Sequence, residues 1–213
     1  MDDQRTYFEA FMESLNLDTN VILVGIEWGA SIAIDWAMRH ESAIRGVAYM
    51  EMYLSGLSWR DFPHTLRDNL RVLRGDTEEA LILDSDFVRE KILPSLTLEP
   101  MTAAVAREYL LGFDLPGESR RAVATLVEEI PINGEPASVA TWMERYDAWL
   151  QTSEIPKLRV LGKPGMVMNR KREERTRAFP NQVTAAVSGR HLLPEDDPDG
   201  VGEALAEWIW GLP

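Results

Sequence analysis

Val21-Ile-Leu-Val-Gly-Ile-Glu-Trp-Gly29 is the stretch that decides the fold of this chain. Its first four residues are apolar and rich in β-branched side chains, which predicts a short strand buried on both faces, as in parallel sheets. Gly25 and Gly29 bracket the turn that follows, and the residues after Gly29 have the composition of a helix. A second strand is predicted at Ile44–Met50, which completes a right-handed βαβ unit. We therefore expect an α/β protein built on a parallel sheet flanked by helices.

The middle of the chain has a different character from its two ends. Between residues 53 and 131, short helical segments are separated by prolines and no strand is predicted; one of these segments is Asp76–Leu83. We interpret residues 53–131 as a helical cap inserted into a core that consists of residues 1–52 and 132–213. The later strands of this core are predicted at Lys157–Leu161 and Gln182–Val187.

Composition argues against several classes of function. The 213 residues contain 22 Lys and Arg against 35 Asp and Glu, so a basic surface for nucleic acid or an anionic membrane is not expected. The chain has no Cys, and its three His are far apart in sequence, which argues against disulfides, thiolate nucleophiles and metal centres. No apolar run approaches the ~20 residues of a membrane span, and no signal peptide is recognised, so we expect a cytoplasmic protein.

The turn around Glu27 has the spacing of a catalytic motif. Gly-x-nucleophile-x-Gly between a strand and a helix is typical of the nucleophile elbow of hydrolases, and both of its glycines are expected to be sterically required. The turn would present the Glu27 carboxylate at a helix N-terminus, where negative charge is favoured. Such a carboxylate can attack carbon directly and form an ester. The alternative is an ordinary βα turn in which the acid only caps the helix.

Two further candidate residues follow predicted strands. His191 lies in a loop directly after the strand Gln182–Val187, and Glu51 directly follows Ile44–Met50. Functional groups of parallel sheets gather beyond the carboxyl ends of the strands, so both side chains are expected near Glu27. Glu51 would then accept the imidazole N–H and hold one tautomer of His191; the alternative for His191 is a solvated loop histidine. The acidic residues nearest to His191 in sequence are interpreted as caps of the last helix: Asp196, Asp197 and Asp199.

Five segments together resemble one enzyme family. They are Leu23-Val-Gly-Ile-Glu-Trp-Gly-Ala30, Ala48-Tyr-Met-Glu-Met52, Leu115-Pro-Gly-Glu-Ser-Arg-Arg121, Glu129-Ile-Pro-Ile-Asn-Gly-Glu-Pro136 and Gly189-Arg-His-Leu-Leu-Pro-Glu-Asp196. In this order they resemble the nucleophile turn, the acid-bearing segment, two stretches at the end of the cap and the histidine loop of haloalkane dehalogenases, a family of the α/β-hydrolase superfamily. The resemblance extends over essentially the whole chain.

The resemblance implies a role for each candidate residue. Glu27 would displace a halide from a haloalkane and form an alkyl ester, His191 would activate the water that cleaves the ester, and Glu51 would orient His191. The indole N–H of Trp28 would bind the departing halide, and the backbone N–H of Trp28 would belong to the oxyanion hole. The family needs no cofactor or metal, and its partners are a halogenated hydrocarbon and water.

Two departures from the family's pattern predict impaired activity. Glu27 stands where the family has Asp, and the added methylene moves the carboxylate by ~1 Å, which can cost about a hundredfold in rate. The first strands of the hydrolase fold have no counterpart before Met1, so we expect only the C-terminal half of that fold. The strand Val21–Ile26 would then be an exposed apolar edge, and we expect self-association through it.

Other functions are compatible with the same residues. The chain could be a catalytically inactive relative that acts as a binding or oligomerisation module. Epoxide hydrolases share an acid nucleophile, but their cap supplies a pair of Tyr donors, and neither Tyr109 nor Tyr146 lies in a comparable context. Luciferases of the coelenterazine type share the triad of nucleophilic acid, histidine and orienting acid.

Overall fold

The computed structural model describes residues 1–75, 80–113 and 115–213. In this part of the chain, four strands form one parallel sheet in the order β1-β2-β3-β4. All four strands were predicted from the sequence, and three of them extend further at their C-terminal ends. The strands are β1 Val21–Ile26, β2 Ile44–Met50, β3 Lys157–Pro164 and β4 Gln182–Gly189.

The helices follow the strands in the order expected of an α/β protein. Helices α5 and α8 were not predicted from the sequence. Among the described residues, no helix is both long enough and apolar enough to cross a bilayer. The helices are α1 Asp2–Ser14, α2 Glu27–Arg39, α3 His64–Val72, α4 Ala103–Tyr109, α5 Arg121–Glu128, α6 Ala137–Leu150, α7 Arg170–Thr176, α8 Leu193–Asp196 and α9 Pro198–Trp210.

The core lies on both faces of the sheet, because successive side chains of a strand point in opposite directions. In β2, Val47 packs in a cluster with α2, and Tyr49 packs in a cluster with α2 and α6. Ala48 and Met50 belong to the opposite face, where they pack in a cluster with Trp208 of α9. The sheet is thus covered by helices on both sides, and its carboxyl ends are left to carry the loops.

The segment between β2 and α6 is helical, as the sequence predicts. It contains α3, α4 and α5 together with π-helical turns at Ala80–Asp84 and Val88–Ile92. The first residues of the predicted helix Asp76–Leu83 lie outside the described part of the chain. A small apolar cluster of its own includes Leu73 and Ile82. The division into a core and a cap at residues 53–131 stays a prediction.

The four-stranded sheet has two edge strands, β1 and β4, and the apolar edge at β1 is exposed. Among the described residues, β1 pairs with a strand on one side only. Val24 of β1 is 47% exposed, and Tyr7 and Phe11 of α1 are also exposed and line a shallow groove beside it. This surface is the one on which the expectation of self-association rests.

Candidate active site

Glu27 lies in the tight turn between β1 and α2, where its backbone has φ of +52°. Such a conformation is rare for residues other than glycine and is concentrated at functional sites. The turn depends on close approach at Gly25, because a Cβ there would lie 2.5 Å from the Cα of Ala30. At Gly29 a Cβ would meet nothing within 4 Å. The predicted steric requirement for glycine therefore holds at Gly25 and is wrong at Gly29.

Glu51 lies at the end of β2 and is completely buried, with φ of +45°. Its Oε2 accepts hydrogen bonds from the backbone N–H groups of Met166 at 3.0 Å and Val167 at 2.5 Å, and its Oε1 accepts from Met168 at 3.4 Å. These donors come from the loop that follows β3. Convergent backbone N–H groups offset the large free-energy cost of burying a carboxylate.

His191 lies in the loop between β4 and α8, which is anchored to the segment before α4. The backbone N–H of His191 donates to the carbonyl of Leu96 at 3.1 Å. The carboxylate of Asp196 accepts from the backbone N–H groups of Leu98 at 2.7 Å and Arg190 at 2.8 Å. The loop that carries the imidazole is thus braced at two points, and the ring is 4% exposed.

The acidic residues after His191 do not share one role. Asp197 is the N-cap of α9, since its side chain accepts from the backbone N–H of Gly200 at 3.0 Å, as predicted. Asp196 makes the loop contacts described above, and the predicted cap role is therefore wrong for this residue. Asp199 lies in the first turn of α9, where its charge favours the helix but its side chain does not cap it.

The imidazole of His191 lies between the two carboxylates. Its Nε2 is 3.6 Å from Oε1 of Glu27, and its Nδ1 is 3.4 Å from Oε2 of Glu51. The Glu27 side chain is 38% exposed, whereas Glu51 is inaccessible. The structure therefore brings together the three residues that the sequence singled out, with one carboxylate open and the other enclosed.

The carboxylates of Glu27 and Glu51 change the pKa of His191, and His191 changes the pKa of Glu27. Burial alone would lower the pKa of His191, but the neighbouring carboxylates of Glu27 and Glu51 outweigh it and raise the pKa to about 9. Burial would raise the pKa of Glu27, but His191 and then Tyr53 lower it below its usual value. At neutral pH, His191 and Glu27 therefore form an imidazolium–carboxylate pair.

Tyr53 is a member of the site that the sequence did not suggest. Its hydroxyl donates a hydrogen bond to Oε1 of Glu27 at 3.1 Å, and its ring packs against Trp28 with centroids 5.0 Å apart. Burial, and then the charge of Glu27, raises the pKa of Tyr53 well above its usual value, so the phenol keeps its proton. The sequence carries no signal for this contact, because Tyr53 lies beyond the end of β2 and has the character of an ordinary core aromatic.

A cavity of about 130 Å³ lies directly beside these residues. Its polar wall is formed by Glu27, Tyr53 and His191, together with Trp28, whose indole N–H donates to no group in the described part of the chain. Among the residues that the structure describes, no cluster of His, Asp and Glu could hold a metal ion. The rest of the wall is mostly apolar and comes largely from residues 66–130: Leu66, Leu70, Leu73, Ile92, Leu96, Leu126, Val127 and Ile130.

Comparison with known proteins gives one consistent result, although no protein-family model matches the chain. Haloalkane dehalogenases from two strains of Sphingobium indicum are 36% and 37% identical to it over 207 residues, which cover 97% of this chain and 70% of each relative. A haloalkane dehalogenase from Mycolicibacterium smegmatis is 34% identical and covers 97% of this chain and 67% of the relative. Among solved structures, haloalkane dehalogenase DbeA from Bradyrhizobium elkani is similar with a TM-score of 0.91 and 31% identity, covering 98% of this chain and 73% of that chain.

Proposed function

The chain belongs to the haloalkane dehalogenase family and is a dehalogenase-like hydrolase of the α/β-hydrolase fold, and from this premise we propose that Glu27, His191 and Glu51 carry its reaction. In the first step, a carboxylate oxygen of Glu27 attacks the halogen-bearing carbon of a haloalkane. The carbon–oxygen bond forms as the carbon–halogen bond breaks, and the halide leaves with the electron pair. The product is an alkyl ester of Glu27.

In the second step, His191 removes a proton from a water that attacks the ester carbon. Ester formation removes the negative charge from Glu27, and with it a cause that raises the pKa of His191. The imidazolium then releases its proton to solvent, and a neutral imidazole becomes available as the base. The alkoxide leaves with one carboxylate oxygen and takes the proton from His191. Glu27 is left as a carboxylic acid and passes its proton to His191, which restores the starting pair. The net reaction converts a haloalkane and water into an alcohol, a halide ion and a proton.

The remaining parts of the cavity suit an apolar substrate with one polar end. We assign Trp28 to the departing halide, because its indole N–H is without an acceptor in the described part of the chain and its ring lines the cavity. We assign residues 53–131 to a cap, because their apolar side chains form most of the cavity wall and exclude water from it. A volume of about 130 Å³ fits a short alkyl chain.

The observation that carries the proposal is the alignment of Glu27, His191 and Glu51 beside this cavity. The test uses His191→Gln, which cannot activate water. On incubation with 1-bromobutane, this variant should release one bromide per chain and retain a butyl group on the peptide that contains Glu27. Glu27→Gln, the matched control, should do neither. Absence of both products from His191→Gln and from the wild type would contradict the proposal and favour the inactive binding module.

We also propose that turnover is slow. Glu27 carries one methylene more than the Asp that the family has at this position, and a displacement of ~1 Å can cost about a hundredfold in rate. Enzymes typically turn over about 10 times per second, so saturating 1-bromobutane should release bromide at about 0.1 per second or less. A rate at the typical level would show that the longer side chain is fully accommodated.

A second copy of the chain is the partner that we propose for the exposed edge. β1 has a free side among the described residues, and identical edges can pair about a two-fold axis to continue the sheet. Light scattering should show a dimer or a larger species for the wild type and a monomer for Val24→Lys. Leu115→Lys, a matched change at a side chain that is 73% exposed elsewhere, should leave the association unchanged. A monomeric wild type would contradict this proposal.

A further inference from the structure

The Glu27 carboxylate is held at one of its two oxygens. Oε1 accepts the hydrogen bond from the Tyr53 hydroxyl at 3.1 Å and is also the oxygen 3.6 Å from Nε2 of His191. Within the described part of the chain, no group donates a hydrogen bond to Oε2. The side chain is partly open toward the cavity, so the unoccupied oxygen is the one available to a substrate.

Because only Oε1 of Glu27 is held by the described residues, Oε1 and Oε2 have different roles in the reaction. If Oε2 attacks the substrate, Oε1 becomes the carbonyl oxygen of the alkyl ester. Attack of water on the ester carbon then shifts the carbonyl electron pair onto Oε1, which becomes negatively charged. A donor that is already directed at this atom stabilises the charge without reorganisation at the moment of reaction.

We propose that the Tyr53 hydroxyl is the oxyanion donor for hydrolysis of the Glu27 ester. The proposal rests on the proposed function, since it needs Glu27 to be the nucleophile. Tyr53 touches the reacting carboxylate directly, and no proton transfer from the phenol is required. In the described structure no hydrogen bond joins the backbone N–H of Trp28 to this carboxylate, so the predicted role of that N–H in the oxyanion hole stays a prediction.

The position of the phenol is fixed from three sides. The ring is 4% exposed and packs against Trp28, and the carbonyl of Tyr53 accepts a hydrogen bond from the buried hydroxyl of Tyr146. Two residues earlier, Glu51 is anchored by the loop after β3. The hydroxyl therefore cannot leave Oε1 without disturbing buried packing, which is the rigidity expected of an oxyanion donor.

The length of the Glu27 side chain explains why its carboxylate contacts the Tyr53 hydroxyl. Glu has one methylene more than Asp, so its carboxylate reaches further from the backbone of the turn. At that reach it meets the Tyr53 hydroxyl rather than the backbone N–H groups of α2. A phenol from the segment after β2 therefore supplies the hydrogen bond to Oε1 that no backbone N–H group of the described turn supplies.

The test is single-turnover reaction of Tyr53→Phe with 1-bromobutane, with bromide release and decay of the butyl adduct followed separately. We expect release close to the wild-type rate and decay that is slower by about 10²- to 10³-fold, so that the adduct on Glu27 accumulates. Tyr49→Phe, which removes a buried phenol hydroxyl that donates to Gln182 at 2.6 Å rather than to Glu27, is the matched control and should release bromide and lose the adduct at the wild-type rates.

Each outcome decides between distinct interpretations. Adduct decay within twofold of wild type overturns the oxyanion role, and equal slowing of release and decay overturns it in favour of mere orientation of Glu27. Absence of any adduct on Glu27, in the wild type and in His191→Gln, overturns the proposed function and this proposal with it. If Tyr53→Phe does not fold, 3,5-difluorotyrosine at position 53 replaces it, because a more acidic phenol should speed decay and a lack of acceleration overturns the proposal.

Discussion

Glu27 and Glu51 follow neighbouring strands of one sheet, yet the protein holds their carboxylates in different ways. Both residues have a positive φ, and both face His191. Glu51 is enclosed and accepts three backbone N–H groups from a single loop. Glu27 is partly open, and its described partners are two side chains, the phenol of Tyr53 and the imidazole of His191.

This difference in partners distinguishes the carboxylate that orients His191 from the carboxylate that reacts with the substrate. Backbone donors cannot turn away, so they keep the Glu51 carboxylate in one place throughout a catalytic cycle. At Glu27 the phenol of Tyr53 stays in place, whereas the imidazole of His191 can change its protonation as Glu27 passes from anion to ester and back. Fixed backbone donors suit a carboxylate that orients a base, such as Glu51. Side-chain partners suit a carboxylate that forms a bond, such as Glu27.

The same substitution at both carboxylates should give opposite results, and this is the largest effect that we expect. Glu51→Gln replaces an acceptor with an amide NH₂ beside backbone donors, which should lower the free energy of unfolding by about 1–3 kcal/mol. It should leave the bromide burst intact and slow ester hydrolysis by about 10²- to 10⁴-fold, because His191 loses its orienting anion. Glu27→Gln should abolish the burst and cost less stability, since its side chain is partly solvated.

Urea unfolding and burst kinetics on the two variants check this comparison. The amide at position 51 is a matched change to the amide at position 27, so differences in side-chain volume do not enter. If Glu51→Gln unfolds at the same urea concentration as wild type, the backbone N–H groups do not stabilise a negative charge on Glu51. The proposed difference between an enclosed Glu51 and a partly open Glu27 is then wrong.

The sequence predicted the part of the site that depends on topology alone. Parallel strands place their carboxyl ends at one edge, so Glu27, Glu51 and the loop of His191 could be expected to meet before any coordinates were known. The strand–turn–helix pattern around Gly25 was sufficient to place the first of them. These inferences need only local periodicity and the handedness of the βαβ unit.

The rest of the site depends on contacts between distant segments. The N–H groups of residues 166–168 meet Glu51 across more than a hundred residues, and no side-chain pattern marks a backbone donor. Tyr53 resembles an ordinary core aromatic until its hydroxyl is found on Glu27. The error at Gly29 has a similar origin, since only coordinates show that the space beside it is open.

A methyl group at Gly165 should disturb the enclosed carboxylate. Gly165 has φ of +70°, and a Cβ there would lie 3.0 Å from the carbonyl oxygen of Gly162 and 3.3 Å from Oε1 of Glu51. We expect Gly165→Ala to lower the free energy of unfolding by about 1–3 kcal/mol and to slow ester hydrolysis. Thermal unfolding checks the first effect, at roughly 2–4 °C per kcal/mol for a chain of this size.

The control for this prediction is Gly112→Ala. Gly112 has φ of +86° and open space around it, so its substitution carries backbone strain but meets no neighbour. It should lower the melting temperature without changing adduct decay. Equal effects of the two variants on adduct decay would show that the loop after β3 does not position Glu51.

The effect that we expect to be smallest for a single change of one pH unit is the dependence of stability on pH through His191. Its pKa of about 9 in the folded chain exceeds the usual value of about 6.5. Because the folded state holds this proton more tightly, the stabilisation is fully present below pH ~6.5 and is lost as the pH rises through about 9. Between pH 7.5 and 8.5 the loss should be on the order of 1 kcal/mol.

Urea unfolding at several pH values, for the wild type and for His191→Gln, isolates this contribution. The wild type should lose stability between pH 6.5 and 9 relative to the variant, which has no imidazole to titrate at this position. Glu27→Gln should flatten part of the difference, because it removes one of the two charges that raise the pKa of His191. The slope of unfolding free energy against pH that remains in Glu27→Gln then measures the effect of Glu51 alone. If the unfolding free energies of wild type and His191→Gln change in parallel with pH, neither carboxylate holds an imidazolium.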